Sequence, residues 1–88
     1  MSDMPTLATQ QVAWAEADAL AAEREEQSAY EQFQSVRAGL GAHGKAHEAT
    51  QHPEFQRWMN AREITDSAWG RWAVAIDKLH GESPPSRT

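Results

Sequence analysis

The residues best equipped for chemistry sit mid-chain, where His43, His47 and His52 stand among Gly41, Gly44, Lys45 and Glu48. The string His47-Glu48-Ala49-Thr50-Gln51-His52 invites comparison with the zinc-protease pattern, in which two histidines four apart share a helical face with a glutamate between them. Here the histidines are five apart and Pro53 follows the second, so one helical face does not present both. His43 and His47 have the four-residue spacing, but Gly44 lies between them and no third ligand is evident. The expectation is therefore no metal site. The loop histidines read as solvated or helix-capping groups, with a metal- or pH-responsive helical protein as the alternative.

The other candidate motifs fail on similar counts. Gly39 stands at the phosphate-loop distance from Gly44-Lys45, but Ala46 takes the place of the hydroxyl residue that holds magnesium, and the segment before it reads as helix, not strand. Ser28, Ser35 and Ser67 fall inside helical patterns, away from any strained turn that would mark a nucleophile. The thirteen acids include no carboxylate pair placed for acid–base work. With no cysteine, thiolate chemistry, disulfides and Cys-ligated zinc are excluded. The sequence predicts a non-enzyme without a cofactor.

Eighty-eight residues allow a single domain. Between Val12 and Leu40 an alternating three-four spacing selects Val12, Ala15, Ala19, Ala22, Glu26, Ala29, Phe33, Val36 and Leu40. Eight of these nine are apolar, against seven of the other twenty positions in the window, so the stripe is a helical period. A first helix is predicted over 6–39, capped by Thr6 or Thr9 and stopped by Gly39, Gly41 and Gly44. Residues 40–52 form a Gly/His loop or a short helix. A second helix spans 53–80, with Pro53 at its first position, Glu54 facing its positive end, Lys78 and His80 in its last turn and Gly81 as a left-handed cap. Its stripe is Phe55, Trp58, Arg62, Thr65, Trp69, Trp72, Ile76 and Leu79. Gly70 inside it signals either a close backbone approach or a tolerated defect. Residues 81–88 read as a disordered tail, and 1–5 as a frayed start.

The fold class is thus all-α: a long antiparallel helical hairpin, with the loop offering a short third helix. Two cylinders touch along one line, while Trp14, Leu20, Tyr30, Met59, Ile64, Ala68 and Val74 lie off the two stripes. The expectation is that self-association, most simply a homodimer, or a protein partner completes a helical bundle.

Charge narrows the partner. Residues 1–36 carry seven acids against Arg24 alone, while 37–88 carry six acids and seven bases. Glu16, Asp18, Glu23, Glu25, Glu26 and Glu31 make the first helix repel phosphate, which disfavours direct binding to nucleic acid or an anionic membrane and favours a basic protein. A solvated face is the plain reading of those acids. Tryptophan and arginine are enriched at interface hot spots, so Trp58, Arg57, Arg62, Arg71 and Trp14 are the candidate partner-binding residues, with Trp58 and Trp14 as surface anchors. Trp69 and Trp72 are expected to fill space opposite Ala15, Ala19 and Ala22.

The functional expectation is a small acidic interaction module, adaptor or inhibitor, of a size that suits an accessory protein of a phage or mobile element. The alternative is an acidic decoy that imitates a phosphate row and blocks a basic nucleic-acid-binding protein. The apolar runs are too short for a membrane span, and Met1-Ser2-Asp3 lacks the features of a signal peptide, so a cytoplasmic setting is expected.

Overall fold

The computed structural model describes residues 6–81. Helix α1 (Leu7–Gly41) and helix α2 (Pro53–Gly81) pack antiparallel as a hairpin, joined through a short 3-10 helix at Ala46–Gln51. The described residues contain no strand. The expected tail and frayed start lie outside the described residues, except Gly81, which belongs to α2 and has no left-handed φ.

Local chemistry sets the ends. Thr6 caps α1: its Oγ1 accepts from the Thr9 backbone N–H at 3.1 Å. At the other end, α1 runs through Gly39 and Gly41, and only Gly44 adopts a left-handed conformation, with φ 72°. The Lys45 N–H reaches back to the Leu40 carbonyl at 2.8 Å and the Gly44 N–H to the Gly41 carbonyl at 3.0 Å, which together satisfy two carbonyls at the helix end. Of the three glycines expected to stop the helix, Gly44 alone does so. The extended backbone of His52 (ψ 150°) then suits the residue before Pro53, which opens α2.

All nine positions of the first stripe are buried or half-buried. On α2, Thr65 is buried, its hydroxyl donating to the Ala61 carbonyl at 3.0 Å, whereas Arg62 is exposed. The buried cluster in the seam is Ala19, Ala22 and Ala68, with Trp69 laid against them. Ala68, expected on a flank, is thus a core residue, because alanine is small enough to admit the opposing helix. Toward the loop, Phe33 stacks on Trp58 with ring centroids 5.2 Å apart, and Tyr30 and Phe55 pack beside them. Ala49 of the 3-10 helix is buried at the hairpin's closed end.

The result is a single layer. Its smallest extent is 14 Å and its radius of gyration 19.7 Å, where a compact chain of this length would have about 12 Å. Among the described residues no large side chain is fully enclosed.

Glycine substitutions test this description. A side chain at exposed Gly70 meets nothing within 4 Å, so Gly70→Ala should raise stability by about 0.5–1 kcal/mol through helix propensity. Gly44→Ala should lower it by about 1–2 kcal/mol because alanine resists the left-handed region. Urea denaturation followed by circular dichroism reads both, and equal effects at the two sites would contradict the assigned roles.

Candidate binding surfaces

The seam divides the hairpin surface into two faces, and the candidate partner-binding residues split between them. Five residues turn a helix by about 140° beyond a full circle, so Arg57 and Arg62 emerge on different sides of α2. The two grooves beside the seam show the division. A trough of about 650 Å³ is lined by Leu20, Glu23, Gln27, Tyr30 and Trp58 among others. A second groove of about 330 Å³ runs over Ala22, Ala29 and Ala61, bounded by Glu25, Arg57 and Ile64. Both are open channels between rods, not enclosed pockets.

The first face is aromatic and acidic. Trp58 is half-buried within the aromatic cluster, so its expected role as a free surface anchor is reduced to the edge that lines the trough. The Arg62 guanidinium lies over its ring, 5.6 Å from the centroid. Further along, the Trp69 indole N–H donates to Glu23 Oε2 at 2.8 Å, and Trp72 meets Trp69 edge-on at 5.4 Å. Trp69 and Trp72 are both half-buried, and Trp69 fills space on the alanines as the size complementarity predicts. Tyr30, expected to lie uncovered, packs on Trp58 at 4.8 Å. Leu20 is the large apolar side chain this face leaves exposed.

The second face holds Arg57, whose guanidinium donates to Gln32 Oε1 across the seam at 3.2 Å. Trp14 stands eighteen residues, five full turns, before Gln32, and Leu7 the same distance before Glu25. Both therefore project on the side of this groove. Arg71, seven residues after Ile64, does so too. Among the described residues Leu7 is the one exposed large apolar residue that the stripe analysis passes over, although its five-turn spacing from Glu25 is legible in the sequence.

The six acids do not form a row. Glu23 lies on the first face, Glu25 on the second, and Glu26 is half-buried at the seam. Asp18, seven residues before Glu25, follows it, while Glu16, seven before Glu23, follows that one. Glu31 is exposed on α1.

In the loop, His43 and His47 are exposed and His52 is half-buried; His47 Nε2 is 3.9 Å from Glu48 Oε2. Among the described residues no three His, Asp or Glu side chains gather as a metal site would require, and no helix is long and apolar enough to cross a membrane. Comparison with protein families, with characterised proteins and with solved structures found no match for this chain.

The Trp69–Glu23 bond ties the helices together across the first face. Glu23→Ala should cost about 0.5–1 kcal/mol and Glu23→Gln, which keeps an acceptor, less than half of that. Urea titrations of the two variants check this, and identical losses would show that the bond contributes nothing.

Proposed function

We propose that the chain is a non-enzymatic protein–protein interaction module, an adaptor or inhibitor whose single helical layer is completed as a bundle by other polypeptides. The observation that supports this most is the absence, among the described residues, of any fully enclosed large side chain, while Leu7, Trp14, Leu20, Ile64 and Val74 lie exposed. A domain normally needs a second layer over such flanks.

The aromatic face suits a partner protein. Its trough offers Leu20, Tyr30 and the edge of Trp58 to an apolar knob, and in its lining Glu23 and Glu26 outnumber Arg24, which favours basic residues beside that knob. Arg62, held over Trp58, completes a tryptophan–arginine site of the kind enriched at interface hot spots. The partner is therefore a basic protein, and the absence of cysteine suits a cytoplasmic setting.

Position 20 provides the test, because Trp58 also packs inside the hairpin and its removal would perturb the fold. A photo-crosslinking residue at Leu20 should yield a discrete adduct with a basic protein in the cells that make this chain. The same probe at exposed Glu63, which lines neither groove, should yield little. Leu20→Lys should weaken binding of the captured partner at least about tenfold with helix content unchanged. Indistinguishable adducts at the two positions, or affinity indifferent to Leu20→Lys, would falsify this reading.

A further inference from the structure

Among the described residues the second face carries three of the five exposed large apolar residues, with Val74 at its outer edge, and its charges are sorted by helix. Leu7 (64% exposed) and Trp14 (58%) project from α1 on the groove side; Ile64 (59%) lines the groove from α2, and Val74 (55%) follows Asn60 by fourteen residues, just under four turns. On this face α1 supplies acids, Asp18 and Glu25. Helix α2 supplies bases, Arg57, Arg71 and Lys78, the last five turns beyond Asn60 of the groove. Among the described residues none of these five charges is ion-paired within the chain.

We propose that this face binds a second copy of the chain, turned about an axis parallel to the helices so that the two loops lie at the same end. This rests on the reading of the hairpin as a layer that another polypeptide completes, and it names that polypeptide for one face. Such a rotation lays α1 of each copy over α2 of the other, so the acidic row of one meets the basic row of its partner. The pairs Trp69–Glu23, Arg57–Gln32 and Phe55–Phe33 fix the register of the hairpin and set Asp18 level with Arg71 and Trp14 level with Val74 and Lys78. Across the interface Asp18 then faces the second copy's Arg71, and Trp14 covers the second copy's Val74 with the Lys78 ammonium near its ring. Ile64 meets the segment of α1 where Ala21, Glu25 and Ser28 turn the same way, two of them small enough to seat it. The alternative two-fold arrangement, with loops at opposite ends, lays α1 on α1 and α2 on α2. It sets acid against acid and base against base, which charge repulsion disfavours. Isologous pairing also closes the assembly at two chains, because each copy spends the same face. The aromatic face stays free for a different protein.

Sedimentation equilibrium on the purified chain, with circular dichroism to confirm helix content, tests this. The wild type should be a concentration-dependent dimer. Ile64→Lys, an exposed position that the fold does not need, should weaken it at least about tenfold. Asp18→Arg and Arg71→Asp should each weaken the dimer, and the double variant should recover most of the loss. Because the chain has no cysteine, a spin label at Thr50→Cys reports the arrangement directly: a short label-to-label distance is expected, whereas opposed loops would place the labels about as far apart as the 63 Å long axis. A monomer at all concentrations overturns the proposal, as does a long distance or a double variant no better than the single ones. A monomeric chain that still crosslinks a basic protein through position 20 would sink this inference and leave the interaction module standing. A dimer with no adduct at position 20 would do the reverse.

Discussion

Everything in this molecule follows from two rods meeting through alanine. Ala19, Ala22 and Ala68, buried in the seam, have side chains too small to hold the helices apart, and small residues at a contact permit close packing of the backbones. Close approach costs coverage. A seam of single methyl groups removes little apolar surface from water compared with leucine or phenylalanine, and it leaves the larger side chains no interior to enter. They are displaced to the margins, where Trp69 lies against the seam from one side and Ile64 borders the groove on the other. The thin dimension of 14 Å is little more than one helix diameter. The same choice that fixes the hairpin geometry therefore creates the unfinished surfaces on either side of it.

The two helices are held by aromatic packing at one end and by the alanine seam, Trp69 and sparse polar contacts elsewhere. Tyr30, Phe33, Phe55 and Trp58 form the densest region, next to the loop, where the short 3-10 helix adds Ala49 and closes the hairpin. Among the described residues two side-chain hydrogen bonds cross the seam, Arg57 to Gln32 beside that cluster and Trp69 to Glu23 farther along, one on each face. Ion pairs do not join the helices: among the described residues, His47–Glu48 within the loop is the only side-chain contact between groups of opposite potential charge. Long helices gain most of their stability from tertiary packing rather than from propensity. A hairpin packed firmly at its closed end and lightly along its length is one whose open half gains most from an added layer.

The helical period was legible because the first stripe repeats over eight turns, long enough for a 3.6-residue pattern to stand clear of alanine-rich composition. The end of α1 was not legible to the residue. Gly39, Gly41 and Gly44 are chemically identical, and only the backbone shows that Gly44 takes the left-handed turn while the other two continue the helix. Ala68 reads as a flank residue in the sequence because alanine is compatible with seam and flank alike, so its address depends on how closely the opposite helix comes. Tyr30 was placed on the flank and found against Trp58, because an aromatic side chain reaches round the cylinder to a neighbour that a wheel drawn for one helix cannot show. The candidate binding residues are legible in the sequence by type, without being sorted by face. Counting five residues from Arg57 to Arg62 separates them by more than a third of a turn, so that division was available from spacing alone; the grooves that give it meaning needed both helices.

The two faces differ in a way that bears on what each can hold. On the aromatic face the large rings already satisfy one another, and the Trp69 N–H and Arg62 guanidinium are committed to Glu23 and Trp58. A partner there meets a preorganised surface and loses little side-chain entropy in binding, which favours recognition of one specific shape. On the other face the apolar groups are spaced apart, and each is flanked by charges that have no ionic partner among the described residues. Such a surface gains little from a purely apolar ligand, because burial would leave those charges unsatisfied. It gains most from a counterpart with the same spacing and the opposite order of charge. A hairpin whose first helix is acidic and whose second is basic along the same face supplies that counterpart when it is turned over upon itself.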